Sequence, residues 1–231
     1  AEVRGVVGEE ECKDAQQMAL KTLEFMYKGG IKDQVGHGFA RYSVTRDWNL
    51  PHFEKMLYDN AQLLPLYLDA WLLTGNPLFL EATNDIATYL TSEPMLSPLG
   101  AIHSSEDADS LANVDDKEKR EGAFYVYSVE EFQKVLTAEE ADLATRYWGL
   151  KAAGNIDAQF DAQGELKGKN TLSVQMTPAE LAKTLELPET KVTDLLQSSR
   201  QKLLAYRDAS RPRPALDDKI VTAWNGLAIS G

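Results

Sequence analysis

Apolar positions recur at steps of three and four residues along most of the chain, a spacing that predicts helices. The longest such run covers residues 51–73, where the apolar side chains form one broad stripe on a helix of about six turns. Pro65 lies inside this run and predicts a kink or a division near Gln62. Residues 74–77, TGNP, predict a tight connection to a second helix over residues 77–92, and so an antiparallel helical hairpin.

The other predicted helices are marked by end signals: a glycine pair at the C-terminus, or a Ser or Thr followed three positions later by Glu. They cover residues 11–28, the segments opened by Ser128, Thr137 and Thr177, a charged and exposed-looking segment over 187–208, and a last helix that begins near Asp218. The last of these stops without a cap or a polar tail, so we expect the chain to be part of a longer protein.

Two segments between the helices are predicted to be loops. Residues 94–122 are rich in Ser, Asp, Gly and Pro, and residues 151–175 contain several glycines. Residues 123–127, AFYVY, are the best candidate for a strand because they are aromatic and β-branched. Strands do not alternate with helices along the chain, which argues against a Rossmann-type sheet and favours an all-α fold with one short β element.

Composition narrows the possible partners. The 231 residues carry a net charge of −12, which argues against binding to nucleic acid or to an anionic membrane surface. No apolar run reaches the roughly eighteen residues that a membrane span requires. The single cysteine, Cys12, rules out an internal disulfide and a cysteine zinc site. It favours a reducing compartment, so we expect a soluble, intracellular protein with no metal and no cofactor.

The first candidate cluster is a glycine-rich loop over residues 29–43, which contains Asp33, Arg41 and Tyr42. Glycines permit tight turns and a close approach of the backbone to a ligand. The loop lacks the spacing and the preceding strand of a dinucleotide fingerprint. It is either a ligand-binding loop or a loop that simply requires tight turns.

The second cluster lies at the start of the long predicted helix. His52, Lys55 and Asp59 are spaced by three and four residues, so on a helix they share one face. This face is either one wall of a site or a solvated surface with a Lys55–Asp59 pair. Asn60 lies among apolar positions, which predicts that its amide is buried and hydrogen-bonded.

The third cluster is the acidic segment over residues 103–110, HSSEDADS. Carboxylates at this density raise one another's pKa values unless a positive group joins them. Leu111 and Ala112 stand where a calcium loop has an oxygen ligand and a glycine, which argues against a loop of that type. Glu106 and Asp107 could instead form a carboxylate pair for acid–base chemistry on sugars, or serve as a helix cap or turn.

The fourth cluster covers residues 216–226, LDDKIVTAWNG. Asp217 or Asp218 could cap the last helix. Trp224 and Asn225 would suit a carbohydrate site, where an aromatic ring stacks on the sugar and an amide bonds its hydroxyls, although Trp224 could equally fill a core. A Ser-His-Asp triad, a P-loop and a HExxH motif are all absent from the sequence.

Five stretches, in this order, carry a family resemblance: GGIKDQVGHGFARYSV, WNLPHFEKMLYDNAQLL, SSEDADS, EGAFYVYSVEEF and LDDKIVTAWNGLAI. Together they resemble the helical part of the spermatogenesis-associated protein 20 family, including its bacterial YyaL-type members. The resemblance covers residues 28–128 and 209–229 and implies an (α/α)6 toroid similar to six-hairpin glycosidases and sugar epimerases. The family is described by its fold, without an assigned reaction.

The resemblance also implies how the chain is organised. Family members place a thioredoxin-like domain before the toroid, so residues 1–231 would be a single domain, an incomplete toroid without that domain and without the last hairpins. The site of such toroids lies at one end of the barrel. Two departures weigh against catalysis: Ala40 and Ala215 stand where the family commonly has histidines, and GHG replaces GGG around His37.

Two hypotheses for the function follow. In the first, the toroid binds or processes a carbohydrate or another small polar ligand. Its acid–base candidates are His52, Glu54, Asp59, Glu106, Asp107 and Asp217. Its substrate-binding candidates are Asp33, Arg41, Tyr42, Lys55, Asn60, Tyr125, Asp218, Lys219, Trp224 and Asn225.

In the second hypothesis, the toroid is a non-catalytic scaffold or binding module that supports the thioredoxin-like domain. The carbohydrate hypothesis predicts a deep, acidic, aromatic-lined mouth and carboxyl groups with displaced pKa values. The scaffold hypothesis predicts that the same polar residues pair with one another and leave no open cavity.

Overall fold

The computed structural model describes residues 4–161 and 164–231, and the fold is mainly helical, as the periodicity predicts. The helices are α1 (Arg4–Val7), α2 (Glu9–Lys28), α3 (Leu57–Thr74), α4 (Pro77–Thr91), α5 (Val129–Val135), α6 (Ala138–Trp148), α7 (Pro178–Leu185), α8 (Glu189–Ser210) and α9 (Thr222–Ser230), with a 3₁₀ turn at Ala158–Phe160. Within the described ranges, no helix is long and apolar enough to cross a membrane.

Short antiparallel strands connect the loops. They are β1 (Tyr42–Ser43), β2 (Pro51–His52), β3 (Lys55–Met56), β4 (Ser105–Glu106), β5 (Asp109–Ser110), β6 (Arg120–Glu121) and β7 (Leu216–Asp217). β1 pairs with β2, β5 pairs with β6, and a three-stranded sheet has the order β3-β4-β7. Each strand has two residues, so these sheets position loops and contribute little to the core.

The predicted hairpin of α3 and α4 is present, and α2 and α9 pack beside it around one core. The connection turns at Gly75, whose φ of 69° lies in the left-handed region that favours glycine. The prediction that Pro65 divides the helix is wrong, because α3 continues from Leu57 to Thr74. Burial of Ala61 and Tyr67 on either side of the proline offsets the lost hydrogen bond.

The predicted start of this helix is also wrong. Residues 51–56 are extended, since β2 pairs with β1 and β3 pairs with β4. His52, Lys55 and Asp59 therefore do not share a helix face, and the Lys55–Asp59 pair does not form. The apolar spacing continues through this segment because its side chains also face the core, and periodicity alone does not separate the two cases.

A second group of helices, α5 to α8, packs around its own apolar clusters. The three capping boxes are present, at Ser128, Thr137 and Thr177. α8 is not the exposed helix that its charge suggested. Its buried positions, spaced by three and four residues, are Val192, Leu196, Ser199, Leu203 and Arg207.

Two local predictions are wrong, because residues 122–125 form turns and residues 218–221 have no regular secondary structure. Residues 123–127 begin with a turn at Gly122 (φ 73°), and only Tyr127 pairs, in an isolated bridge to Asn170. An added Cβ on Gly122 would lie 2.3 Å from the ring of Phe53, so this close approach requires glycine. The last helix begins at Thr222 instead of near Asp218, and its N-cap residue has no side-chain cap.

Candidate functional site

Asn60 fixes the glycine-rich loop to the start of α3. Its side chain is fully buried, as predicted, and its Oδ1 accepts a hydrogen bond from the Phe39 amide at 2.8 Å. Its Nδ2 donates to the carbonyls of Phe39 and Met56, each at 3.0 Å. The amide is thus a structural clamp, and its groups are not free to bind a substrate.

The β3-β4-β7 sheet brings the second, third and fourth sequence clusters together. Lys55 pairs with Glu106, and Glu106 pairs with Leu216 in the register. Successive side chains of a strand point to opposite faces of the sheet. The side chains of neighbouring residues therefore lie on different sides here. The Lys55 side chain is buried, whereas that of Glu54 remains one quarter exposed.

The half-exposed side of this region holds two carboxyl groups, those of Glu54 and Asp59. Arg41 donates to Glu54 Oε2 at 3.0 Å, and its own amide bonds the Glu54 carbonyl at 2.8 Å. The Nε2 of His52 lies 3.8 Å from the same Glu54 oxygen. We call the residues Arg41, Tyr42, His52, Glu54, Tyr58, Asp59 and Trp224 the Glu54–Asp59 cluster.

Asp59 is the unpaired acid of this cluster. It lies in the first turn of α3, and its Oδ2 is buried without a hydrogen-bond partner. Partial burial raises its pKa to about 6; Arg41 acts to lower it, and the charge of Glu54 acts to raise it. A fraction of Asp59 is therefore protonated near neutral pH, unlike an ordinary aspartate.

Aromatic rings flank these carboxyl groups. The ring of Trp224, from α9, meets that of Tyr58 edge-on at a centroid distance of 4.8 Å. Tyr42 stacks on His52 at 5.0 Å, as the β1–β2 register requires, and the Nδ1 of His52 lies 2.6 Å from Glu121 Oε1. Tyr42 is half exposed, so its outer surface is open to a ligand.

On the buried side, Asp33 is the centre of an ion network. Arg207 Nη1 lies 3.0 Å from its Oδ1, and Lys55 Nζ lies 2.9 Å from its Oδ2. The amides of Val35 and Gly36 also donate to Oδ1. Burial alone would raise the pKa of Asp33, but the two cations hold it well below the ordinary value.

Glu106 and Asp85 are paired in the same manner. Arg213 Nε lies 2.6 Å from Glu106 Oε1, and the Tyr89 hydroxyl donates to Oε2 at 3.0 Å. Asp85 contacts Lys32 and the Gly38 amide, together with His37 and Arg200. Burial would raise the pKa of both acids, but these partners lower it below the ordinary value.

The remaining predicted residues occupy different environments. Asp107 lies 3.7 Å from Lys119 in an exposed pair, and Asp217 pairs with Lys219 at 2.9 Å, which lowers the Asp217 pKa. Asp218 is exposed. Asn225 bonds both the amide and the carbonyl of Ile102, so it fixes α9 to the acidic loop instead of facing a ligand.

Tyr125 does not offer the stacking surface that the sequence suggested. Its ring stacks on Phe53 at 5.6 Å, and Lys55 Nζ lies 4.8 Å from its centroid. Its hydroxyl, however, is buried without a hydrogen-bond partner. The polar end of Tyr125, and not its ring, is therefore the part with unused binding capacity.

The sequence patterns did not point to the basic residues that form the buried ion pairs. They are Lys32, Arg200, Arg207, Arg211 and Arg213. One signal was available: the apolar spacing of α8 leads from Leu196 and Leu203 directly to Arg207. A charged residue at the end of a buried stripe indicates a buried partner.

The arrangement matches each hypothesis in part. Asp33, Asp85 and Glu106 pair off, as a scaffold requires, whereas Asp59 keeps a raised pKa beside a second carboxyl group. In the parts of the chain that the structure describes, no group of three His, Cys, Asp or Glu side chains is placed to hold a metal ion. Chemically, the Glu54–Asp59 cluster can donate and accept a proton at a half-exposed surface.

No protein-family model matches the chain. It is 43% identical over 226 residues to spermatogenesis-associated protein 20 of Homo sapiens and 41% identical over 226 residues to that of Mus musculus. It is also 39% identical over 230 residues to an uncharacterized protein of Caenorhabditis elegans.

These matches cover 94% to 96% of this chain, while the chain spans 28% of the two mammalian proteins and 31% of the nematode protein. The agreement therefore concerns one segment of the relatives. Over nearly its whole length, the chain is therefore homologous to one segment of spermatogenesis-associated protein 20.

Proposed function

We propose that the Glu54–Asp59 cluster binds a carbohydrate and provides the acid–base pair for its processing. The observation that carries this proposal is the Asp59 carboxyl group, which has an unpartnered oxygen and a pKa raised to about 6. Beside it, Glu54 is held by Arg41 at 3.0 Å. Two carboxyl groups in unlike environments are the arrangement that glycoside chemistry uses.

The proton transfers can be assigned to named atoms. Protonated Asp59 donates its proton to the oxygen of the sugar bond that breaks. The Glu54 carboxylate accepts a proton from the water that attacks the sugar carbon. One proton leaves Asp59 and one reaches Glu54, so the charge of the pair is unchanged and the protons exchange through solvent afterwards.

The aromatic rings supply the second requirement of a carbohydrate site. A sugar ring presents an apolar face of C–H groups, which packs on exposed aromatic surface, while its hydroxyls need charged or amide partners. Tyr42 and the edge-on pair of Tyr58 and Trp224 offer such surface beside Arg41 and Glu54.

The same proposal places the chain in a larger protein. We infer that residues 1–231 belong to one incomplete (α/α)6 toroid and that the complete protein also carries a thioredoxin-like domain. The helical hairpin of α3 and α4 and the length of the relatives support this inference. The thioredoxin-like domain would then be an intramolecular partner of the toroid.

Binding of defined sugars tests the proposal. The protein expressed from its complete coding sequence is examined by saturation-transfer NMR with glucose, mannose, N-acetylglucosamine, maltose and cellobiose. We expect at least one sugar to bind, and Trp224→Leu to weaken binding about tenfold through the loss of aromatic packing. Hydrolysis of the matching nitrophenyl glycoside is expected to be lost in Asp59→Asn.

The matched control is Asp69→Asn, which changes an exposed aspartate of the same helix. It is expected to retain both binding and hydrolysis. The carbohydrate proposal fails if none of the five sugars binds, or if Trp224→Leu binds the sugar as tightly as the wild type does.

A scaffold is the second candidate function, and one observation favours it. Large apolar side chains remain exposed on α3 and α9: Leu66, Leu72, Leu73, Leu227 and Ile229. Exposed apolar side chains on two helices that contact each other favour a contact with another protein surface. A scaffold without a ligand predicts that Asp59→Asn changes no activity, which the same experiment would reveal.

A further inference from the structure

A polar crevice lies where the two groups of helices meet, away from the Glu54–Asp59 cluster. It has a volume of 180 Å³ and is bounded by the end of α4, the end of α8 and the loops around Lys55, Phe124 and Arg213. Glu54 and Lys55 are sequence neighbours, but only Lys55 lines the crevice. The cluster and the crevice therefore offer different side chains to a ligand.

The unused hydrogen-bonding groups of this crevice are donors. Arg207 gives its Nη1 to Asp33, while its Nε has no hydrogen-bond partner, although the side chain is only 5% exposed. The Tyr125 hydroxyl is also buried without a partner. Arg213 uses its Nε and Nη2 on Glu106 and remains 44% exposed at the opening.

The buried acceptors, by contrast, are already satisfied. Asp33 accepts from Arg207, Lys55 and two backbone amides. Glu106 accepts from Arg213 and from the Tyr89 hydroxyl. Two further carboxyl groups line the outer edge. Asp208 lies 4.0 Å from Arg207 Nε, beyond hydrogen-bond distance, and both Asp208 and Glu93 are exposed to solvent.

A buried hydrogen-bond donor without an acceptor raises the free energy of the folded protein. A ligand that supplies the acceptor removes this penalty. A guanidinium bonds oxyanions with particularly good geometry. We propose that this crevice binds a small oxyanion, a carboxylate or a phosphate group, through Arg207 Nε, the Tyr125 hydroxyl and the free Nη1 of Arg213. Tyr89 and Phe124 form the apolar part of its walls.

Tyr125→Phe is the informative variant because it removes only the unpartnered hydroxyl and keeps the ring on Phe53. Binding of inorganic phosphate and of acetate is measured by calorimetry on the protein expressed from its complete coding sequence, with chloride keeping the ionic strength constant. We expect one of the two anions to bind, and Tyr125→Phe to bind it about tenfold more weakly. The anion that binds tighter identifies the oxyanion as a carboxylate or a phosphate.

Tyr127→Phe is the matched control, since the Tyr127 hydroxyl bonds the Leu203 carbonyl and does not line the crevice. It is expected to bind the anion as the wild type does, and so is Asp59→Asn, which separates this site from the carbohydrate proposal. Equal binding by wild type and Tyr125→Phe would overturn the assignment, as would the absence of binding by both anions.

Discussion

Asp33 and Arg207 are 174 residues apart in the sequence, yet their side chains meet at 3.0 Å. Each is 5% exposed, so the pair is shielded from solvent and from salt. It joins the glycine-rich loop to the end of α8 and thereby links the two groups of helices. Lys55 binds the other oxygen of the same carboxylate. Because Lys55 directly follows Glu54 in the sequence, this contact also holds the backbone beside Glu54 in place.

Removing the Asp33 charge should destabilise the protein strongly. Asp33→Asn leaves Arg207 and Lys55 buried without a counter-charge, which typically costs about 3–5 kcal/mol. Asp208→Asn, an exposed neighbour of Arg207, should change the free energy of unfolding by less than about 0.5 kcal/mol. Urea unfolding at pH 7 measures both variants, and equal stability for the two would contradict the role of this pair.

Asp59→Asn should instead stabilise the protein, in a pH-dependent way. The folded-state pKa of about 6 lies above the ordinary aspartate value of 3.8, so the folded state binds the proton more tightly. The wild type therefore loses stability as the pH rises from about 4 to about 6, and the asparagine variant does not. We expect the variant to gain about 1 kcal/mol relative to wild type between pH 4 and pH 8, after allowance for partial exposure.

Urea unfolding at pH 4 and at pH 8 tests this expectation, and Asp69→Asn on the same helix provides the control. Exposed Asp69 should give the same difference from wild type at both pH values. A loss of stability in Asp59→Asn at pH 8 would show that the Asp59 carboxylate has a structural partner, and the acid role would then be untenable.

Glu140 and Glu139 are neighbours in the sequence, but we expect them to contribute very different amounts to the free energy of unfolding. Glu140 caps α6 through Thr137 and bonds Lys202 and Ser198 on α8. Burial acts to raise its pKa, but these partners lower it to about 2. Glu140→Gln should cost about 1–3 kcal/mol, whereas Glu139→Gln, whose pair with Lys191 is exposed, should cost less than about 0.5 kcal/mol.

Thermal or urea unfolding distinguishes these two glutamates. The stabilisation by Glu140 is present above pH 4.5 and disappears as the pH falls toward its folded pKa of about 2. The difference between wild type and Glu140→Gln should therefore shrink between pH 5 and pH 2. A difference that stays constant over that interval would mean that the ionised form of Glu140 is not what stabilises the protein.

Asn60→Asp should destabilise the protein although the two side chains have the same shape. The change replaces the Nδ2 donor by an oxygen that faces the carbonyls of Phe39 and Met56. A buried unpaired acceptor costs about 1–3 kcal/mol, and more if it is charged. Asn84→Asp on the exposed side of α4 is the control, with little expected change. Unfolding curves of equal midpoint would show that the Asn60 clamp does not contribute.

The helices were the predictable part of this fold, because periodicity and capping boxes act locally. The hairpin around Gly75 and the caps at Ser128, Thr137 and Thr177 needed no tertiary information. Residues 51–56 were misjudged because their pairing depends on distant partners, such as Glu106, which lies 51 positions after Lys55 and which local spacing does not reveal.

The sequence motifs predicted several residues that lie close together in the structure, but they did not predict which charged partners those residues have. The motifs that contain Glu54, Asp59 and Trp224 pointed to residues that the structure brings close together. Whether a carboxyl group has a cationic partner depends on residues such as Arg207 and Arg213. These two arginines lie outside those motifs or at their edge. Which carboxyl group finds a cation is a tertiary property, and it decides which acid can titrate near neutral pH.

The acid–base role that we propose for the Glu54–Asp59 cluster depends on one quantity, the pKa of the Asp59 carboxyl group. Titration of the carboxyl ¹³C resonances by NMR, with Asp59→Asn used to assign the signal, measures it directly. We expect a pKa of about 6 for Asp59. A value near 4, that of an ordinary aspartate, would contradict the proposal that Asp59 delivers a proton at neutral pH.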